Sequence, residues 1–197
     1  MNKRCNISRR EFLQSAAAAA AVCAAPTIIP ARALGLEDKA APSKRIAVGM
    51  IGVGRQVLAY NLPFFLGQPD CEVVALCDCD RWRLDVDDQR KAAYYSKRKR
   101  RVPKMPKCPR CIDFREVLGR ADVDAVMIST PDHWHVPMSM MAVEAGKDVC
   151  CEKPLTRSIA EGRLLADLTA KHERVFRTDS EFRSLPQFHR AVELVRN

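Results

Sequence analysis

No stretch of the 197-residue chain is long and apolar enough to span a bilayer. The weakly apolar run from Ala16 to Ala25 is too short and too rich in alanine for that task. Internal repeats are missing as well, which excludes solenoids and propellers. No second CxxC accompanies Cys108-Pro109-Arg110-Cys111, so a four-thiolate zinc site lacks a ready ligand set. Cys77 and Cys79 could add two sulfurs, but strand alternation points both toward one buried face. No acid interrupts the eight basic residues between Lys97 and Arg110, and no aromatics are interleaved there beyond the preceding Tyr94 and Tyr95. Stacking platforms for nucleic acid are therefore wanting, and the block reads as a solvated insertion between helix and sheet.

What is present begins with an address. Ser8-Arg9-Arg10-Glu11-Phe12-Leu13 is a twin-arginine pattern, the alanine run follows it, and Ala31-Arg32-Ala33 is a small-residue exit. Residues 1–33 thus read as a signal peptide for the twin-arginine translocase, with 34–43 as a linker, and the expected location is periplasmic or otherwise exported. Val22 stands where a lipoprotein signal wants a small residue, which argues against lipidation at Cys23. That route moves folded proteins, which suits an enzyme that loads its nucleotide in the cytoplasm. Removing the leader leaves 28 basic residues against 23 acidic ones, and the remaining basicity is concentrated in Lys97–Arg110. The 164 residues left are ample for one domain with its own core. Seven of nine cysteines remain, an odd number that argues against a complete disulfide framework. Most are expected as buried thiols acting as small apolar residues, with a Cys108–Cys111 disulfide after export left open.

The chain is organised around residues 44–80. Ile46–Ile51 is an apolar run of the kind a strand buried on both faces uses. Gly52-Val53-Gly54 follows, then a helical pattern carrying Leu58, Leu62 and Phe65. A second apolar run, Val73–Leu76, leads to Asp78, 26 residues after Gly52. Strand, glycine turn, helix, strand and acid make a dinucleotide-binding βαβ unit. Gly52 would allow the tight turn, and Gly54 would let backbone approach a pyrophosphate with no Cβ in the way. The N–H groups opening the helix, from Val53 and Gly54 through Arg55, then face the phosphates. Asp78 can accept both adenosine-ribose hydroxyls and would repel a 2′-phosphate, which favours NAD over NADP. Val57 occupies the third fingerprint position in place of glycine or alanine, so closer helix–strand packing is given up there. Pro63 should kink its helix or end it a turn early.

Beyond Asp78, the pattern predicts a helix over Arg81–Tyr95, a charged loop over Ser96–Arg110 and a short helix over Asp113–Arg120. A buried strand over Ala125–Ser129 comes next, then a helix starting near Trp134–Pro137 and stopped by Gly146. Asp148–Cys151 is a further strand. Ser158 with Glu161 is a capping box opening a helix to His172. Val175-Phe176 begins one more strand, and Ser184 with Gln187 caps a last helix. Alternation of this kind predicts an α/β fold, a doubly wound, Rossmann-type parallel sheet covered on both faces, over 44–180.

Two further motifs fall at strand carboxyl ends, where open α/β sheets place ligands. They are Ser129-Thr130-Pro131-Asp132-His133-Trp134-His135 and Cys151-Glu152-Lys153-Pro154-Leu155-Thr156. Together with the glycine turn and the tail RTDSEFRSLPQFHRAVELVRN, they resemble the Gfo/Idh/MocA family of glucose–fructose oxidoreductase, inositol dehydrogenase and rhizopine-catabolism proteins. The likeness covers nearly all of residues 44–197. It implies a nucleotide over Gly52, Val53, Gly54 and Arg55, with Asp78 on the adenosine ribose. The Thr130–His135 turn, including Pro131, would line the cofactor. Glu152 would lie beside it, and Lys153 would point toward the nicotinamide ribose and the reacting sugar carbon, with a cis bond before Pro154. The residue's own chemistry agrees, because an ammonium near a carbinol stabilises oxygen charge as hydride leaves. His133 and His135 could be read as a metal pair, but no carboxylate or cysteine set completes it; His135 is read as a cofactor-loop or helix-capping residue.

Family members continue for roughly as long again, into a mostly antiparallel α/β domain that forms the sugar pocket and supplies an Asp and a His as acid and base. Residues 181–197 read as the start of the connection to that domain, which is expected to be lacking here. Asp179 and Glu181 stand where relatives carry glycine and glutamine, while Arg183 and Ser184 keep the pattern. Three functions follow. One is the NAD(P)-binding part of an oxidoreductase acting on a secondary alcohol of a small-molecule sugar or polyol, with possible homo-oligomerisation in a complete version. A second is an NAD-dependent glycosidase that oxidises its sugar transiently. The third is a non-catalytic nucleotide-binding remnant.

Overall fold

A computed structural model describes residues 40–85, 105–180, 183 and 185–196. Its centre is a six-stranded, all-parallel sheet in the order β3-β2-β1-β4-β5-β6. The strands are β1 (Ile46–Ile51), β2 (Cys71–Cys77), β3 (Arg110–Cys111), β4 (Ala125–Ile128), β5 (Asp148–Glu152) and β6 (Phe176–Asp179). That order reverses direction between β1 and β4, the switch point of a Rossmann fold. The edge strand β3 falls where the sequence suggested the end of a loop. Two residues carry too little pattern to be seen, and the strand exists because Leu76 and Cys77 pair with Arg110 and Cys111.

Alternation along the strands divides the core into two layers. Val48, Met50, Val73, Leu76 and Met127 pack on one face with Val57, Leu58 and Leu62. Ile51, Ala75, Cys77, Val126, Ile128, Val149 and Cys151 pack on the other. The second layer is closed by helices α3 (Phe114–Leu118) and α4 (His135–Glu144), through Phe114, Val117, Met138, Ala142 and Val143. Helix α5 (Ile159–Lys171) joins β5 to β6, and its N-cap Ser158 Oγ accepts the Glu161 N–H at 3.2 Å. Helix α6 (Pro186–Arg196) buries none of its residues. The Ser184 cap expected for it lies outside the described residues.

The helix after the glycine turn departs from expectation in an informative way. Pro63 neither ends nor breaks it: α1 (Leu62–Gly67) continues to Gly67. The turn before it, Val57–Asn61, widens to a π-turn, with the Leu62 N–H reaching the Val57 carbonyl five residues back. Pro63 has no N–H for the Ala59 carbonyl, and its ring would press on that oxygen; a wider turn carries the oxygen away. Val57 is fully buried where the fingerprint wants a smaller residue, at the start of that wider turn. Close packing instead occurs on the opposite face, where a Cβ on Gly49 would meet Val117 Cγ1 at 2.5 Å.

Helix α2 (Arg81–Leu84) opens the predicted Arg81–Tyr95 helix, of which residues 86–95 lie outside the described residues. Asp85 is extended at φ −71°, ψ 118°, which ends it; residues 86–104, including most of the basic block, lie outside the described residues. The two cysteines placed together by alternation are also separated. Cys77 is buried as the last strand residue, whereas Cys79 follows the strand's end and is exposed. Strand alternation stops applying once the strand has stopped.

Candidate nucleotide site at the carboxyl edge of the sheet

The loops after β1, β2, β4 and β5 leave the same edge because all four strands run parallel. Gly52 has φ +90°, a region that favours glycine, and its N–H donates to the Cys77 carbonyl at 2.8 Å. A Cβ there would lie 2.7 Å from the Ser129 carbonyl oxygen and 2.9 Å from the Thr130 nitrogen. The β1 and β4 loops therefore touch backbone to backbone, a contact continued by Ser129 N–H to the Ile51 carbonyl at 2.8 Å. Val53 is fully buried, so it can face a ligand only through its backbone. Arg55 is exposed at the opening of the helix.

Asp78 stands just past β2. Its N–H donates to the Cys111 carbonyl at 3.2 Å, and its Oδ1 accepts the Asp80 N–H at 2.9 Å. Those contacts hold the carboxylate with about a tenth of its side chain exposed. Arg83 lies beside it, with Nε 4.0 Å from Asp78 Oδ2 and 3.6 Å from Asp80 Oδ2. Its Nη1 is also 3.3 Å from the place a Cβ on Gly54 would take. Arg83 thus spans the glycine turn and the acid, a placement that sequence reasoning missed because α2 had to be built first.

On the other side of the crevice, Asp132–Trp134 forms a 3-10 turn and His135 opens α4. His135 is 1% exposed. Its Nδ1 is 2.7 Å from the Pro154 carbonyl oxygen and its Nε2 is 2.9 Å from that of Thr130. It therefore holds the β4 and β5 loops together from behind. His133 is exposed, and no group of three or more His, Cys, Asp or Glu side chains fit to hold a metal occurs among the described residues. Lys153 and Pro154 are joined by a cis peptide and are exposed in the β5 loop. Glu152 is buried, accepting the Lys153 N–H on Oε2 at 3.2 Å and the Asn61 amide on Oε1 at 3.1 Å. Asn61 Nδ2 also donates to Asp179 Oδ2 at 3.3 Å.

Three buried polar atoms at this edge have no hydrogen-bond partner: Ser129 Oγ, Thr130 Oγ1 and Asn61 Oδ1. Native interiors seldom leave such atoms unpaired. Two of them sit on the β4 loop against Gly52, where a polar ligand in the crevice would pair them. The residues present therefore fit a dinucleotide. Glycine backbone lies on one wall, hydroxyls on the other, and an acid stands at the far end of β2.

The cysteines do not contribute. Burial, followed by neighbouring Cys111, pushes the Cys77 thiol up to about 12, and burial does the same for Cys151. All seven described cysteines are free. Cys108 packs with the Met50 layer and Cys111 with the Ile51 layer, so this CxxC straddles the sheet and forms no disulfide here.

Comparison with known proteins identifies the family of the fold and the leader. Residues 46–180 match the family model described as an oxidoreductase family with an NAD-binding Rossmann fold. Residues 6–26 match the twin-arginine translocation signal. The chain is 32% identical over 168 residues to an alpha-N-acetylgalactosaminidase of Shewanella oneidensis, covering 79% of this chain and 35% of that protein. It is 30% identical over 181 residues to a glycosyl hydrolase family 109 protein of a Shewanella species, covering 86% and 38%. The chain thus spans little more than a third of the length of these curated relatives. Among solved structures, KijD10, a 3-ketoreductase from Actinomadura kijaniata in complex with NADP and TDP-benzene, superposes with a TM-score of 0.62. That likeness covers 77% of this chain and 42% of the other at 24% identity, and speaks to the fold.

Proposed function

The chain belongs to the Gfo/Idh/MocA oxidoreductase family, built on an NAD-binding Rossmann fold, and from that premise we propose that it is the nucleotide-holding part of an exported NAD(P)-dependent enzyme. The reaction would be hydride transfer at a secondary alcohol of a sugar or polyol. The observation that carries this reading is the convergence of Gly52, Asp78, Thr130 and Lys153 on one edge of the sheet, around the β1–β4 switch point. In it, the backbone from Gly52 to Arg55 holds the diphosphate, the Ser129 and Thr130 hydroxyls gain the partners they lack, and Asp78 binds the adenosine ribose. A nicotinamide held by these residues would supply the hydride acceptor or donor. Lys153 holds the substrate oxygen and stabilises its charge during that transfer. His135 keeps the Thr130 and Pro154 loops at a constant separation through its two carbonyl contacts.

Arg83 modifies the expected preference for NAD. A guanidinium within 4.0 Å of Asp78 offsets the charge that would repel a 2′-phosphate. The arrangement supports NAD as the better ligand while leaving NADP able to bind. Calorimetric titration of the folded chain with both nucleotides tests the reading, and uptake of neither overturns it.

A glycosidase that oxidises its sugar transiently is the second reading, favoured by the names of the 30–32% identical relatives. A complete version releasing sugar with retained NAD and no net NADH would favour it over the dehydrogenase.

A further inference from the structure

The corner where β5 and β6 end holds two acids that the nucleotide reading leaves without a task. Glu152 and Asp179 are register partners on adjacent parallel strands, so their side chains leave the same face of the sheet. One amide bridges them: Asn61 Nδ2 donates to Glu152 Oε1 at 3.1 Å and to Asp179 Oδ2 at 3.3 Å. Glu152 and Asn61 are each 5% exposed. Asp179 is half-buried, and two carboxylates that share one amide nitrogen repel if both are ionised.

The unpaired atom of Asn61 indicates how the conflict is relieved. Its Oδ1 is buried and has no partner. A carboxyl that accepts from Nδ2 through one oxygen can, when protonated, donate through the other to Oδ1, as acids and amides commonly pair. The two acids differ in their surroundings. Glu152 also accepts the Lys153 N–H at 3.2 Å, a bond strengthened by negative charge. Asp179 has no second donor described and sits in a strand that ends beside it.

We infer that the Glu152–Asp179 pair holds one proton, carried by Asp179 and donated to Asn61 Oδ1, so that Glu152 keeps accepting the Lys153 N–H. Asp179 and Asn61 are then positioning residues: they act on the Lys153–Pro154 turn through Glu152. The direction of titration agrees, since burial first and Glu152 second push the Asp179 carboxyl above the ordinary carboxylate range, against a smaller opposing pull from Arg177. The described titratable groups acting on the pair are Cys150 from β5 and Arg177 from β6, while Lys153 contributes its backbone N–H. The helix side contributes the Asn61 amide. Burial holds the Cys150 thiol up at about 11, so it stays neutral through the range in which the pair titrates. The π-turn that precedes Pro63 ends on Asn61, whose amide bridges the two strands.

Carboxyl carbon NMR of the full chain across pH 3–9 tests this, with the exposed Asp113 and Asp122 as internal references. Both of those are held low, by the Arg115 N–H and the Arg120 guanidinium respectively. Asp179 should bind its proton more tightly than either reference and than an ordinary carboxyl. The Lys153 amide resonance should follow that step. Asp179→Asn should stop the Lys153 amide from moving in that range, and Glu152→Gln should return Asp179 toward an ordinary carboxyl. An ordinary Asp179 titration in the wild type, or a Lys153 amide indifferent to Asp179→Asn, would overturn the inference. Thermal unfolding supplies a second readout that needs no assignment. A folded-state affinity raised above the unfolded value makes Asp179 lose stability as pH rises, so Asp179→Asn should gain on the wild type between pH 4 and 8. A constant difference across that range would also overturn it.

Discussion

At the scale of single residues, the proposed site would have Asp78 and Arg83 divide the nucleotide between them. Asp78→Ala should weaken NAD by roughly 10–100-fold, the loss of one or two charge-assisted hydrogen bonds to a ribose diol. Arg83→Ala should leave NAD nearly unchanged and weaken NADP about tenfold. Calorimetry with both nucleotides separates the two roles, and equal losses for both nucleotides in each variant would refute the division. Asp78 was legible from its distance to Gly52. Arg83 was not, because its contact with the glycine turn passes through space between two loops. Lys147 shows the same limit at a structural position. It is 8% exposed, and its ammonium donates to the Arg120 and Val123 carbonyls at 2.7 Å each. Lys147→Met strands both carbonyls and should cost about 2–3 kcal/mol in a denaturant titration. Nothing in the linear pattern separates it from the surface lysines.

At the scale of elements, the helix after Gly54 carries the main departure. Sequence reasoning saw that Pro63 conflicts with a regular helix, but not that the chain would resolve the conflict by widening a turn. The choice depends on what the widened turn gains. Asn61 reaches Glu152 and Asp179, and Val57 fits into the layer around Met50. Pro63→Ala restores a donor for the Ala59 carbonyl and should allow the regular turn. The residue 63 amide would then be protected from hydrogen exchange, and the Asn61 side-chain amide should lose its contact shifts in NMR. Retention of the Asn61 contacts in that variant would show that the two carboxylates, and not the proline, impose the π-turn. The predicted strands after Asp124 and the capped helix from Ser158 agree with those observed, since each has a period and a start signal. β3 has neither, at two residues long.

At the scale of the whole molecule, the parallel sheet brings the three sequence motifs to one edge, where Lys153 and Arg55 are both exposed cations. For the proposed hydride transfer, Lys153→Ala should leave nucleotide affinity within about threefold and lower kcat by at least 10²-fold, as loss of a group acting on the transition state would. A change in KM alone would give Lys153 a binding role instead. The twin-arginine leader directs the folded chain out of the cytoplasm, and no helix among the described residues is long and apolar enough to cross a membrane. Of its seven described thiols, Cys77, Cys111 and Cys151 are buried, Cys71, Cys108 and Cys150 are half-buried, and Cys79 is exposed.

The amino-acid order by itself determined the export signal, the alternating strands and helices, the glycine turn with its distant acid, and the Glu-Lys-Pro loop. Each is a local pattern, set by spacing along one stretch of chain. Only the tertiary structure decided that Asn61 bridges two acids, that His135 ties two loops, that Arg83 sits over the turn beside Asp78, and that Cys108 and Cys111 lie on opposite faces. Those are contacts between segments distant along the chain or, for the cysteines, a choice of face made by the sheet. They follow from strand order and register, which no local spacing encodes.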